Sequence, residues 1–290
     1  MRLIVTSDLH YNVLRSKQPT VDLAEEICRL RADALLILGD AAGQDVSILR
    51  ECFQLFDRFA GRKFFVPGNH ELWAPPGECS LVRYEQILPR VCAEAGFHML
   101  DHEPVVLGRV GLVGSMGWYD FSFRPEHLGI PLRFYREKVA PGAASRMERY
   151  QHLLETVDDV PEDSLSMGTR WMDGEHVRLP MDDVTFCRRL LDRLEGQLQE
   201  LSSACDTLVV GLHHLPYAEL IPPNSNPSWA FAAAFLGSTA YGEMLLRYPK
   251  ARHVYCGHVH KAGEVTHGHV HCISTGCTYL EKRYEILELD

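Results

Sequence analysis

The chain has 290 residues, 46% of them hydrophobic and 23% charged, with a formal net charge of −10 at pH 7. That length can bury a substantial core in one large domain, or in one domain with an insertion. The acidic balance argues against a broad nucleic-acid-binding face, because affinity for a phosphate backbone rests on Lys and Arg. In chain order, the first element is an apolar run from Arg2 that ends in Asp8-Leu9-His10. It reads as a buried strand, in which side chains two apart share a side. Asp8 and His10 are therefore expected to project together from its carboxyl end, where open α/β sheets place ligands. Residues 11–19 read as a loop, and Thr20 as the cap of a helix with Leu23, Ile27 and Leu30 along one stripe. Ala34–Leu38 is the next strand and stops at Gly39-Asp40. A helix carrying Ile48, Leu49, Cys52, Phe53, Phe56 and Phe59 on one face follows. Residues 63–66 form a third strand that runs into Pro67-Gly68-Asn69-His70-Glu71. The first 70 residues thus read β-α-β-α-β with a polar cluster at each strand end.

Residues 81–96 carry a helical pattern, and short strands are expected near 105–107 and 111–113. From about 117 to 181 the rhythm breaks into a stretch rich in aromatic residues, Arg, Pro and Gly, which reads as a partly helical insertion in a single domain spanning 1–290. A long amphipathic helix at 183–203 leads to a strand at 207–210, ending in Gly211-Leu212-His213-His214. A further strand at 253–256 ends in Gly257-His258-Val259-His260, and the remainder reads as a β-meander. No segment of about 20 apolar residues can span a bilayer, and no secretory leader is visible at the N-terminus. Nine cysteines without framework spacing suit a reducing compartment, so a cytoplasmic protein without membrane association is expected.

Collected, the strand ends offer Asp8, His10, Asp40, Asn69, His213, His258 and His260. Two carboxylates, an amide and four imidazoles with no thiolate suit Mn, Fe or Zn. They are too many for one tetrahedral ion and about right for two that share a bridging carboxylate. Glycines before Asp40, Asn69 and His258 are expected to let the backbone turn sharply as it leaves the sheet. Gly268-His269-Val270-His271 repeats the last motif but starts a strand instead of ending one. It reads as a solvated copy, although His267, His269 and His271 would share one strand face.

The order Asp-x-His, Gly-Asp, Gly-Asn-His-Glu, His, Gly-His-x-His resembles the calcineurin-like metallophosphoesterase superfamily. The resemblance implies a four-layer α/β/β/α sandwich with a dinuclear site at the strand ends. By that likeness Asp8, His10, Asp40 and His260 hold one ion, and Asp40, Asn69, His213 and His258 the other. His70 matches the family's phosphate-contacting or acid residue, with Glu71 expected to orient it. The implied cofactors are two divalent or trivalent ions, Mn favoured, and the implied chemistry is attack on a small phosphate monoester or diester by a hydroxide bridging them. Two sibling functions stand as alternatives: a DNA-processing nuclease, opposed by the acidic balance, and a non-catalytic metal-binding scaffold, opposed by the intact ligand set. Protein phosphatases of the superfamily carry Gly-Asp-x-x-x-Arg-Gly, whereas this chain has Gly39-Asp40-Ala41-Ala42-Gly43-Gln44. The insertion either acts as a lid, with Trp118 and Tyr119 meeting the organic part of the substrate, or packs those rings against the sandwich. His214 either faces the cleft or bonds to backbone.

Overall fold

Alternation inside the apolar runs decides how the layers stack. Leu3, Val5, Leu36, Leu38, Phe64 and Val66 join one hydrophobic cluster with Leu112, Val209 and Tyr255. Ile4, Leu35, Ile37 and Phe65 join a second with the helix residues Leu23, Ile27, Leu49 and Phe53. Strands buried on both faces in this way belong to a sheet covered on one side by helices and on the other by a second sheet. The computed structural model, which describes residues 1–156, 158–224 and 226–289, is that α/β/β/α sandwich.

The first sheet runs β11-β1-β2-β3-β4, with β1 Arg2–Ser7, β2 Ala34–Leu38, β3 Arg62–Val66 and β4 Phe97–Met99 parallel and β11 Glu285–Glu288 antiparallel at the edge. The second runs β5-β6-β7-β8-β10-β9. In it β6 Val110–Ser115, β7 Thr207–Leu212, β8 Ala251–Cys256 and β10 Val270–Ser274 are parallel, flanked by β5 Val105–Leu107 and β9 Gly263–His267. The helix Asp183–Ser202 covers the second sheet with Leu190, Leu194, Leu198 and Leu201.

Four elements differ from the sequence reading. The second helix spans Val46–Gln54, so Phe56 and Phe59 are buried beyond its end and not on its face. The first helix spans Leu14–Arg29, so residues 14–19 are helical and Thr20 caps nothing. Ser16 Oγ and Thr20 Oγ1, one turn apart, both donate to the Leu9 carbonyl at 2.7 and 2.9 Å. That anchorage starts the helix early and carries it through Pro19, which forgoes only one amide donor. The segment 97–99, unassigned above, is the edge strand β4. The C-terminal region is no meander: β10 pairs in parallel with β8, and β11 crosses to the other sheet beside β1.

Candidate metal centre

Register brings the ligand loops to one level. Ser7 lies opposite Leu38, and Leu38 opposite Val66. The pairing continues past the strands, with Asp8 N donating to Gly39 O at 3.0 Å and His10 N to Asp40 O at 2.8 Å. Asp8, His10, Asp40, His258 and His260 all have left-handed backbones, with φ of 50°, 44°, 50°, 73° and 54°. Few non-glycine residues adopt that conformation, and such strain gathers at functional sites. Asp8 and His10 therefore converge through two left-handed residues, not through strand alternation, since β1 ends at Ser7. The three glycines also divide. Gly39 has φ +75°, whereas Gly68 has φ −104° and is needed for space, because a Cβ there would run into Asp40 Oδ1 and Asp40 N. At Gly257 a Cβ would lie 2.6 Å from Asp8 Oδ2.

Two groups of ligand atoms result, Asp8, His10, Asp40 and His260, and Asp40, His213 and His258, each with its atoms within 4.8 Å of one another. Asp40 belongs to both. Its Oδ2 lies 3.7 Å from His10 Nε2 and its Oδ1 3.4 Å from His213 Nε2. In the first group His10 Nε2 and His260 Nε2 are 3.0 Å apart, and His260 Nε2 is 3.4 Å from Asp8 Oδ1. In the second, His258 Nδ1 is 3.1 Å and Asn69 Oδ1 3.3 Å from His213 Nε2. All seven residues expected as ligands thus meet at the carboxyl ends of the two sheets.

The donor chemistry fits cations. His213 Nδ1 lies 2.9 Å from the Leu38 carbonyl; in the neutral ring, donating there would leave the Nε2 lone pair facing the second group. Burial pushes the Asp40 carboxyl up, but His70, His213 and His10 outweigh it and hold it well below the ordinary range. Burial likewise opposes the charge on Asp8, which His260 and His213 keep below its usual value. Burial pushes His10 down to about 3 and His258 well below an ordinary imidazole. His213, against its own burial, is held up at about 10 by Asp40 and then Asp8. Ionised carboxylates beside His10 and His258, kept neutral by burial, create a place that demands positive charge, and against their own burial His213 and His260 are raised by those same carboxylates.

The cleft above these groups has a volume of about 550 Å³. His70 lines it, with Nε2 3.7 Å from Asp40 Oδ2 and its ring stacked on Trp73 at 3.9 Å and 25°. Glu71 does not orient His70. Its buried carboxylate accepts the amides of Asp40 and Gly68 at 2.8 Å and of Ala42 at 3.0 Å, tying together two ligand loops. Burial and then Asp40 raise it to about 7.

Trp118 and Tyr119 are fully buried, stacked on each other at 4.6 Å, and bonded to Asp183 and Asp173. They are packing residues and do not line the cleft. His214 is buried behind His258, ring to ring at 4.3 Å, with Nδ1 3.0 Å from the Met116 carbonyl. The cleft is walled instead by Trp73, Trp171, Trp229, Tyr279 and Arg170. No spacing marked these residues out, and only Arg170 and Trp171 among them fall within 117–181. Lys282, also missed, donates to the Asp8 carbonyl at 2.7 Å and holds that left-handed turn. The copied motif scatters: His267 meets Glu219 at 3.2 Å, His269 the Tyr248 carbonyl at 2.9 Å and His271 Glu264 at 3.1 Å.

A family model described as calcineurin-like phosphoesterase matches residues 1–262. The chain belongs to the calcineurin-like phosphoesterase family. Within that family it is similar to [acyl-carrier-protein] phosphodiesterase PptH of Mycobacterium tuberculosis, 31% identical over 128 residues, 41% of this chain and 38% of the relative. The matched stretch thus spans well under half of that curated protein. The crystal structure of phosphopantetheinyl hydrolase PptH from the same organism superposes with a TM-score of 0.67 at 22% identity, covering 95% of this chain and 89% of that one. A dimetal phosphatase from Danio rerio superposes with a TM-score of 0.54 at 13% identity, over 97% and 88% of the two chains. At these identities the two structural likenesses establish the calcineurin-like fold. Among the described residues no helix is long and apolar enough to cross a membrane.

Proposed function

We propose that this family member is a dinuclear metal-dependent phosphodiesterase acting on a small organic phosphodiester. The observation that carries the reading is Asp40, whose two oxygens face two separate ligand groups on the floor of one cleft. Asp8, His10, Asp40 and His260 would hold one ion and Asp40, Asn69, His213 and His258 the other, a mixed oxygen and imidazole set that suits Mn, Fe or Zn, with Mn the first to assay. Bound there, the ions supply Lewis-acid charge for phosphate oxygens and activate water. His70 lines the cleft beside Asp40 and donates a proton to the leaving oxygen, with its ring plane held by Trp73. Glu71 and Lys282 act on the ligand loops, not on the substrate. Residues 117–181 form an insertion in a single domain and supply one wall of the cleft through Arg170, Trp171 and Met172.

Size and lining support a small substrate. The cleft is walled by indoles, and Arg170 is the one Lys or Arg lining it among the described residues, a poor match for the charge of a nucleic acid. The diester is favoured over the monoester by the relative named as a phosphodiesterase, and a phosphopantetheinyl diester on a carrier protein is the first natural candidate to assay. A cytoplasmic location accords with nine free cysteines. The test is hydrolysis of bis-p-nitrophenyl phosphate and p-nitrophenyl phosphate with and without Mn. Mn-dependent turnover with the diester ahead is expected; Mn-dependent turnover of the monoester alone overturns the diester assignment, and no turnover of either overturns the enzyme.

A further inference from the structure

Asp173 opens the short helix Asp173–His176 of the insertion and is 1% exposed. A buried carboxylate is costly unless its lone pairs are filled. Here they are filled by donors from four other residues. Oδ1 accepts Asn69 Nδ2 at 2.9 Å and Trp73 Nε1 at 2.7 Å, and Oδ2 accepts Tyr119 OH at 3.1 Å and Trp171 Nε1 at 2.7 Å. A carboxylate offers about four such sites, so the group is saturated. Asn69, Trp73 and Trp171 all line the cleft.

The bond to Asn69 matters most, because a side-chain amide has two unlike ends. With Nδ2 given to Asp173, Oδ1 is left facing His213 Nε2 at 3.3 Å. Rotated by half a turn, the same amide would present N–H donors, which cannot coordinate a cation. We propose that Asp173 is a positioning residue: it fixes the Asn69 amide with its oxygen toward the second ligand group, and the same carboxylate pins the Trp73 and Trp171 walls. The insertion thereby completes the metal centre. This rests on the reading that the two groups hold ions.

The test is calorimetric Mn titration, which reads metal binding without turnover. In Asp173→Ala the second Mn should bind about 10–100-fold more weakly, the usual cost of losing a residue that orients a ligand, while the first ion keeps its affinity. Tyr119→Phe removes a donor from the other carboxylate oxygen and leaves the Asn69 bond; it should bind both ions like wild type even if it melts earlier. A merely structural role would lower melting in both variants and leave the second ion alone. If Asp173→Ala does not fold, Asp173→Glu keeps the charge but moves the oxygens by one methylene, and the same selective loss is expected. Wild-type affinity for the second Mn in either folded Asp173 variant, or equal weakening of both ions, overturns the proposal. A wild-type chain that binds fewer than two Mn overturns the dinuclear reading first, and the positioning role with it.

Discussion

Asp40 turns one oxygen toward His10 and the other toward His213, so its removal is expected to act on both groups together. Asp40→Ala should bring metal content per chain to near zero by elemental analysis, whereas His213→Ala, outside the first group, should lose mainly one ion. Two tightly held ions in Asp40→Ala would rule out the shared carboxylate. His70 makes a different case. Its imidazole lies outside both ligand groups, stacked on Trp73 and 21% exposed at the cleft. His70→Ala should keep both ions and a folded core yet lose roughly 10²–10⁴ in turnover, the range for a positioned acid or base. The loss should shrink for p-nitrophenolate, which departs without a proton. A uniform loss across leaving groups would reassign His70 to phosphate positioning, and release of metal would make it a ligand.

The loops that leave the strands do the positioning, and the copied Gly-His-Val-His motif shows what a loop needs. His258 follows β8, takes φ 73° and donates its amide to both Asp8 oxygens at 3.1 Å. His269 sits in the turn before β10 and bonds the Tyr248 carbonyl. His258→Ala should cost activity by orders of magnitude and His269→Ala almost none; a reversed pattern in a side-by-side assay would contradict the register of β8 and β10. The same contrast explains what could be read in advance. Buried runs such as Ala34–Leu38 declare themselves because every position is apolar, and Asp40 and Asn69 were legible as the polar residues just beyond such runs. The early start of the first helix escaped because it depends on Leu9 meeting Ser16 and Thr20 in space. β11 escaped because pairing with β1 joins residues 280 or more positions apart. Asp173, Trp229 and Tyr279 escaped for a similar reason: each reaches the cleft from a distant segment, and no periodicity within that segment records it.

At the scale of the molecule, the candidate ligands divide between the sheets. Asp8, His10, Asp40 and Asn69 leave the first sheet, and His213, His258 and His260 the second. Each candidate group draws on both, so an ion bound in either one would clamp sheet to sheet across the core of Leu38, Val66 and Leu112. Binding energy for such an ion becomes folding energy, because the unfolded chain has no preformed site. With free metal at 100 times the dissociation constant, each ion would add about 2.7 kcal/mol, worth roughly 4 °C in melting temperature for a chain of this size. Mn should therefore raise the melting point of the chelator-treated protein by that order, and EDTA should reverse it. Asp40→Ala, which removes the residue common to both groups, should melt at the same temperature with and without Mn. His269→Ala should retain the full shift. A melting temperature indifferent to Mn in the wild type would mean that these residues converge without holding ions across the two sheets. An equal shift in Asp40→Ala would place the stabilising ion elsewhere on the molecule.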